Sequence, residues 1–156
     1  MKPINVELSK KTILVTGAAG FIGSNLVMKL LRSVPDVHIL GVDNCNDYYD
    51  VALKDYRLNE IEKIAAQSEG SKWTFVKGNI ADKALIDSLF SEYKPAVVVN
   101  LAAQAGVRYS IDHPDVYIES NLIGFLDILE ACRHSYDNGE AGVEHLVYTS
   151  FLGLRR

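Results

Sequence analysis

The sequence predicts an α/β protein with a doubly wound parallel sheet, and three observations lead to that prediction. Short apolar segments alternate with longer amphipathic segments along the 156 residues, as strands alternate with helices. The first and fourth apolar segments are nearly continuous, which is typical of parallel strands that helices cover on both faces. A glycine-rich turn joins the first predicted strand to the first predicted helix.

The elements follow in alternation. The strands are short apolar runs, expected at residues 12–16, 37–43, 73–77, 96–102 and 145–150. The helices carry apolar residues at helical spacing and are expected at residues 21–32, 51–67, 82–93 and 115–134, with Asp82 as the N-cap of the third. Because crossover connections are right-handed, the favoured strand order is 3-2-1-4-5, and the ligand crevice lies between the first and fourth strands.

The composition is that of an ordinary globular protein. Hydrophobic residues make up 48% and charged residues 23%, and 16 Lys and Arg against 20 Asp and Glu give a net charge of −4. This mild acidity argues against nucleic acid as a partner, because such binders carry a basic surface. Cys45 and Cys132 form neither a disulfide framework nor a zinc signature, so no metal is expected. No segment has the pattern of a signal peptide or a membrane span, so we expect a cytoplasmic protein.

The strongest local motif is the turn Gly17-Ala-Ala-Gly20-Phe-Ile-Gly23 between the first strand and the first helix. Gly17 permits a tight turn, Gly20 lets the backbone approach a pyrophosphate, and Gly23 lets the helix pack closely on the sheet. The helix N-terminus adds N–H groups and a positive dipole end for phosphate. A glycine-rich turn without any ligand is the alternative interpretation of this motif taken alone.

A carboxylate at the end of the second strand favours a dinucleotide. Asp43 lies 20 positions after Gly23, where its side chain accepts hydrogen bonds from the adenosine ribose hydroxyls. Its charge also repels a 2′-phosphate, so NAD is the expected cofactor rather than NADP. An ordinary turn aspartate is the alternative, and the glycine turn counts against it. The sequence therefore predicts that residues 1–156 form a Rossmann-type NAD-binding domain.

Three longer stretches connect the chain to a family. They cover residues 42–50, 100–110 and 117–133 and read VDNCNDYYD, NLAAQAGVRYS and YIESNLIGFLDILEACR. Together with the glycine turn, they resemble the extended short-chain dehydrogenase/reductase family of NAD-dependent epimerases and dehydratases, and within it the bacterial UDP-glucuronate 4-epimerases. The resemblance extends over nearly all of residues 12–150. The glycine turn is shared by the whole superfamily, whereas the longer stretches are specific to this epimerase group.

The resemblance implies which residues hold NAD. Asp43 and Asn44 would hold the adenosine ribose, while Asn79 and Ile80 would flank the adenine. The family usually has aspartate at position 79, and asparagine keeps an acceptor there. Backbone amides after the glycine turn would cover the pyrophosphate, and residues 101–103 would line the nicotinamide side. The full set implied for the cofactor is Gly17, Gly20, Phe21, Ile22, Gly23, Asp43, Asn44, Asn79, Ile80, Leu101, Ala102 and Ala103.

Residues after the fourth strand would meet the substrate, which the resemblance implies is a UDP-sugar. Gln104 and Arg108 are the candidates, and a guanidinium can bind a carboxylate or diphosphate in bidentate fashion. A surface arginine that stabilises the loop is an equal alternative for Arg108. Asn121 would support the site from the next helix, or else face solvent. Tyr48 and Tyr49 are expected to pack against or cover the cofactor.

The family reaction needs a residue pair that this sequence lacks. The resemblance implies transient oxidation of the sugar C4 by bound NAD and its re-reduction, with the catalytic tyrosine in a Tyr-x-x-x-Lys pair. None of the eight tyrosines is followed four positions later by lysine. We therefore expect no catalytic residue, no C-terminal substrate domain and no activity in the isolated chain. Open alternatives are an NAD sensor or regulatory module without catalysis, a remnant without function, and a portion of a 4,6-dehydratase or other sugar epimerase.

The last six residues depart from the family. It continues with serines and Val-Tyr-Gly, whereas this chain has Phe151-Leu-Gly-Leu-Arg-Arg156. One choice of codons for this hexapeptide encodes Ser-Ser-Val-Tyr-Gly when it is read one base later. A frameshifted or interrupted gene is therefore our hypothesis for residues 151–156, with a divergent tail as the alternative. The resemblance also implies a homodimer through the helix at residues 115–134, and an uncovered fifth strand favours association.

Overall fold

The computed structural model describes residues 6–137 and 141–149, and the predicted α/β architecture is confirmed there. The strands are β1 (Thr12–Thr16), β2 (His38–Asp43), β3 (Lys72–Lys77), β4 (Val97–Asn100) and β5 (His145–Tyr148). The helices are α1 (Phe21–Ser33), α2 (Val51–Gln67), α3 (Lys83–Tyr93), α4 (Tyr109–Asp112), α5 (Pro114–Ile118) and α6 (Gly124–His134). One π-helical turn, Glu119–Ile123, joins α5 to α6.

The strands pair in parallel in the predicted order β3-β2-β1-β4-β5. Thr16, the last residue of the central strand β1, lies opposite Val42 of β2 and Asn100 of β4. The chain leaves β1 toward β2 and β3 first, and it reaches β4 and β5 on the other side afterwards. This reversal leaves a crevice at the carboxyl ends of β1 and β4, where sheets of this kind bind ligands.

Two hydrophobic cores lie on opposite faces of the sheet. Along β1, Leu14 packs into one core, whereas Ile13 and Val15 pack into the other, because successive side chains of a strand point to opposite faces. The Leu14 core is completed by α3 and α6, and the other core by α1 and α2. Both faces of β1 are therefore covered, as its continuous apolar sequence predicts.

The segment at residues 115–134 differs from its prediction, because it is not one continuous α-helix. Pro114 begins α5, and the π-helical turn then inserts extra backbone before α6 begins at Gly124. At Gly124 the backbone packs so closely that a Cβ would lie 2.6 Å from Cγ1 of Ile80. The short helix α4 is absent from the prediction as well.

The other predicted bounds lie within two residues of the observed ones, and Asp82 caps α3 by accepting a hydrogen bond from the Leu85 N–H at 3.1 Å. Within residues 6–137 and 141–149, no helix combines the length and apolarity needed to cross a bilayer. The same ranges contain no group of three or more His, Cys, Asp and Glu side chains placed to hold a metal ion. Ser150 and the tail at 151–156 lie outside the described residues, so the frameshift hypothesis stays a prediction.

Candidate functional site

A cleft opens at the carboxyl ends of the central strands, as the sheet topology predicts. Its cavity volume is about 140 Å³, and the space measures about 740 Å³ when the part that opens to solvent is included. The turn after β1 and the loops after β2, β3 and β4 form its walls. The residues predicted for the cofactor that line it are Gly17, Gly20, Asp43, Asn44, Asn79, Ile80, Leu101, Ala102 and Ala103.

Glycines shape the turn at one end of this cleft. Gly17 has a φ of +69°, a left-handed conformation that side chains with a Cβ rarely adopt. A Cβ on Gly20 would lie 3.0 Å from the Gly17 carbonyl oxygen, and one on Gly23 would lie 2.1 Å from the same atom. No residue larger than glycine fits at position 23 without moving backbone. The backbone at Gly17 therefore packs directly against the first turn of α1.

The start of α1 carries no side-chain cap. Its N-cap residue is Gly20, which has no side chain to accept hydrogen bonds from the first turn. The side chains of Phe21 and Ile22 are 73% and 62% exposed, and neither lines the cleft. A helix start with uncapped N–H groups beside a cleft suits an anionic group such as a phosphate.

The Asp43 carboxylate is buried and held at the adjacent corner of the cleft. Its Oδ2 accepts a hydrogen bond from the Ala19 N–H at 3.1 Å, and its Oδ1 accepts one from the Cys45 N–H at 2.8 Å. The ammonium of Lys54 on α2 lies 3.5 Å from Oδ1, and both side chains are less than one-tenth exposed. Each carboxylate oxygen can accept more than one hydrogen bond, so Oδ2 retains capacity for a ligand hydroxyl.

A chain of hydrogen bonds crosses the cleft from this corner. The Lys54 ammonium donates to Asn46 Oδ1 at 3.0 Å, and Asn46 Nδ2 donates to Gln104 Oε1 at 3.4 Å. The backbone of Gln104 is held on both sides by Asn121, which accepts from its N–H at 2.8 Å and donates to its carbonyl at 3.0 Å. The loop after β2 is thereby tied to the loop after β4, and Asn121 supports the site rather than facing solvent.

Gln104 has an unused donor at the far end of this chain. The residue is 6% exposed, and its Nε2 is buried without a hydrogen-bond partner among the described residues. A buried amide donor without a partner is costly, and native proteins rarely leave one unsatisfied. Gln104 lines the cleft, and its amide lies close enough to the Tyr117 hydroxyl to act on the pKa of that phenol.

Thr16, the last residue of β1, holds the start of the loop after β4. Its hydroxyl donates to Asn100 Oδ1 at 2.6 Å and accepts from the backbone N–H groups of Leu101 and Ala102 at 3.2 and 3.1 Å. Thr16 is fully buried. One side chain therefore fixes how the loop after β4 leaves the sheet.

Aromatic rings surround the mouth of the cleft. The rings of Tyr48 and Tyr49 have centroids 4.7 Å apart, and Tyr48 lies 4.9 Å from Tyr109. The Tyr117 hydroxyl donates to the Ala105 carbonyl at 2.7 Å. Tyr48 and Tyr49 both line the cleft, and their role of packing against or covering the cofactor stays a prediction.

Asn79 and Arg108 are not placed as freely available ligand-binding side chains. The Asn79 Oδ1 accepts from the Ala81 N–H at 3.0 Å, and its Nδ2 donates to Glu119 at 2.7 Å, so the acceptor expected to meet adenine already has one partner. Arg108 is exposed at the start of α4 and does not line the cleft. The structure therefore brings Gln104 to the cleft but not Arg108.

The two cysteines are poor candidates for chemistry. Burial and the Asp43 charge raise the pKa of the Cys45 thiol, and burial raises the pKa of Cys132 to about 11. Both side chains therefore stay protonated near neutral pH, and a thiol is a much weaker nucleophile than a thiolate.

Lys54 and Asn46 are functional candidates that were not predicted from the sequence. A signal for Lys54 was present, because it shares a helical stripe with Leu58, Ile61 and Ala65, which pack toward the core. A lysine on such a stripe is expected to be buried and paired. Asn46 carries no comparable signal, since its contacts depend on how its loop folds.

Comparison with known proteins assigns a family. A family model described as GDP-mannose 4,6 dehydratase matches residues 14–148. Among curated proteins, the chain is 45% identical over 138 residues to protein CapI of Staphylococcus aureus, covering 88% of this chain and 37% of that protein. It is 43% identical over 143 residues to UDP-glucuronate 4-epimerase 3 of Arabidopsis thaliana, covering 92% and 31%.

A solved structure supports the same grouping. The UDP-glucose 4-epimerase of Stenotrophomonas maltophila, solved with NAD and formylated UDP-arabinopyranose, superposes with a TM-score of 0.67 at 28% identity. The match covers 88% of this chain and 36% of that one. The chain therefore spans about a third of the length of the proteins that it matches.

Proposed function

The chain belongs to the GDP-mannose 4,6 dehydratase family, and from that premise we propose that residues 1–156 are the NAD-binding portion of a nucleotide-sugar epimerase. The UDP-glucuronate 4-epimerase type is the one that we propose, because a relative of that name is 43% identical. The carrying observation is that the bare glycine turn and the buried Asp43 carboxylate face one cleft. We place this isomerase portion in the cytoplasm.

The residues of the cleft fit a dinucleotide. The uncapped start of α1 and the glycines that leave room for it suit the pyrophosphate. Asp43 Oδ2 suits the adenosine ribose hydroxyls, and Leu101, Ala102 and Ala103 offer a mostly apolar wall for the nicotinamide end. When bound, NAD supplies the hydride chemistry that oxidises and re-reduces the sugar C4.

Gln104 is the residue that we assign to the reacting end of the cleft. Its unpartnered Nε2 donor and its backbone, which Asn121 holds, suit a fixed contact to an oxygen of a UDP-sugar or of the cofactor amide. Arg108, which is exposed outside the cleft, is the second candidate for the UDP-sugar. The assignment rests on the burial of an unsatisfied polar atom, which a ligand would relieve.

The sequence lacks the residue pair that would transfer the proton in the reaction that we propose. None of its tyrosines stands in a Tyr-x-x-x-Lys pair. Burial, with Tyr48 beside it, raises the pKa of Tyr117, so that phenol holds its proton and makes a poor general base. We infer that these residues bind and orient the cofactor but do not epimerise a sugar by themselves.

A second candidate function is an NAD-binding sensor or regulatory module. Two observations together favour this function: the cleft suits the dinucleotide, and the sequence lacks the Tyr-x-x-x-Lys pair. Both candidates bind NAD, and only the first needs further polypeptide to act. A homodimer through the exposed apolar side chains of Ile118, Leu122 and Leu126 is proposed for either one.

Calorimetric titration of the 156-residue chain with NAD tests the shared claim. We expect saturable binding, which Gly20→Val abolishes because its side chain would enter the path of the pyrophosphate. Gly142→Ala, far from the cleft, serves as the control and should bind normally. No binding at millimolar NAD would contradict the proposal.

Chromatography of UDP-glucuronate incubated with the chain and NAD tests the claim about catalysis. We expect no epimer, because the Tyr-x-x-x-Lys pair is missing. An epimer formed in proportion to the chain concentration would contradict the inactivity that we infer. Loss of that product in Gly20→Val would show that it comes from this cleft.

A further inference from the structure

The Asp43 corner contains a buried cation whose position the glycine turn and the family comparison leave unexplained. The Lys54 ammonium lies 3.5 Å from Asp43 Oδ1 and donates to Asn46 Oδ1 at 3.0 Å. Lys54 is only 6% exposed, although lysine is among the residues least often buried. The cation therefore sits beside the carboxylate that is expected to select the cofactor.

Other charges surround the same corner. Lys77, at the end of β3, and Asp55, on α2, act with Asp43 and Lys54 on the pKa of the neighbouring Cys45 thiol. One turn after Lys54, Arg57 donates from Nη1 to the Ala19 carbonyl at 3.2 Å. Three cations and two carboxylates therefore surround this corner, and it is not the acidic site that Asp43 alone would make.

We propose that Lys54 is a positioning residue that sets how strongly the corner prefers NAD over NADP. This inference rests on the proposed NAD-binding function. A carboxylate selects NAD because it repels the 2′-phosphate of NADP. The adjacent ammonium cancels part of that repulsion, and it acts strongly because little water screens a pair so deeply buried. The preference is thus a property of the Asp43–Lys54 pair.

A purely structural role for Lys54 predicts something different. If the ammonium only anchored Asn46 and the loop after β2, its loss would weaken NAD and NADP binding by the same factor. A role in selection changes the ratio of the two dissociation constants, because only NADP brings extra negative charge to the corner. The ratio therefore separates the two roles.

Calorimetric titrations of the full 156-residue chain with NAD and with NADP at pH 8 provide the test. Lys54→Met should raise the Kd ratio of NADP to NAD by about tenfold, equivalent to about 1.4 kcal/mol. Lys54→Arg keeps the charge and should hold the ratio within about twofold. The matched control is Lys63→Met, which removes an exposed lysine of the same helix and should leave the ratio unchanged.

Asp43→Asn provides the opposite change. It leaves the Lys54 ammonium without its carboxylate, so the Kd ratio of NADP to NAD should fall by about tenfold. In the double variant with Asp43→Asn and Lys54→Met, most of that fall should disappear. This comparison also decides the question if Lys54→Met alone does not fold, because the double variant leaves no buried charge unpaired.

The outcomes separate this inference from the function beneath it. A wild-type chain that does not bind NAD overturns both. A wild-type chain that binds NAD, with equal weakening of NAD and NADP in Lys54→Met, overturns the role of Lys54 alone. A raised ratio in Lys54→Met, with a lowered ratio in Asp43→Asn, establishes it.

Discussion

The two edge strands of the sheet differ in what they present to the surroundings. On β3, Lys72 and Lys77 are exposed at the two ends, while the residues between them are partly buried. On β5, Val147 and Tyr148 are 41% and 53% exposed. Charged ends protect an edge strand against pairing with other chains, and exposed apolar side chains do not. The β3 edge is thus protected against pairing with other chains, whereas the β5 edge presents exposed apolar side chains as a contact surface.

The helices beside β5 extend this contrast. Ile118, Leu122 and Leu126 recur every four residues from α5 to α6 and are each more than half exposed. The β1–β3 side, in contrast, contains the glycine turn and Asp43, where atoms are closely packed. A change in packing should therefore be costly on the β1–β3 side, and a change in surface charge should matter on the β5 side.

The largest difference in stability should appear when a glycine is replaced by alanine on each side of the sheet. In Gly23→Ala the new Cβ meets the Gly17 carbonyl at 2.1 Å, and backbone must move, so we expect a loss of about 3 kcal/mol in stability. In Gly142→Ala the nearest atoms, from 2.6 Å, belong to the side chains of Ser135 and Tyr136 and not to backbone, so we expect a smaller loss. Urea unfolding of both variants measures the difference, and equal losses would break the contrast.

A smaller effect is expected at Thr16, where the two sides of the sheet join. Thr16→Val removes the hydroxyl that bonds Asn100 and the N–H groups of Leu101 and Ala102, leaving buried polar groups unsatisfied. The expected loss is about 1–3 kcal/mol in urea unfolding. The control is Thr74→Val on β3, whose partner His38 is only partly buried. A control that loses as much as Thr16→Val would refute the explanation.

The smallest effect on stability should come from charges on the β5 side. Val147→Lys and Leu122→Lys should change the free energy of unfolding by no more than about 0.5 kcal/mol, since both residues are exposed. Both should reduce concentration-dependent self-association in sedimentation velocity. Lys72→Glu, on the β3 edge, keeps an exposed charge there and should leave association unchanged. A wild-type chain that stays monomeric at all concentrations would remove the basis for a contact surface.

Much of the fold could be predicted from the sequence because its signals are local. Apolar periodicity distinguishes strands from helices, and the glycine turn marks the junction of β1 and α1. The strand order followed from the handedness of crossovers, which is nearly independent of side chains. The prediction failed at residues 115–134, where a close approach of Gly124 to Ile80 accompanies the π-helical turn. Contacts between segments that are distant in the sequence do not alter its hydrophobic periodicity, so they could not be predicted from it.

The sequence by itself determined the α/β architecture, the glycine turn and the placement of Asp43 at the end of β2, because each depends on neighbouring residues. Only the tertiary structure decided that Lys54 is buried against Asp43, that Asn46 reaches Gln104, and that Arg108 stays outside the cleft. Asn46 and Gln104 are 58 positions apart, and they meet because parallel strands bring their carboxyl ends to one edge of the sheet.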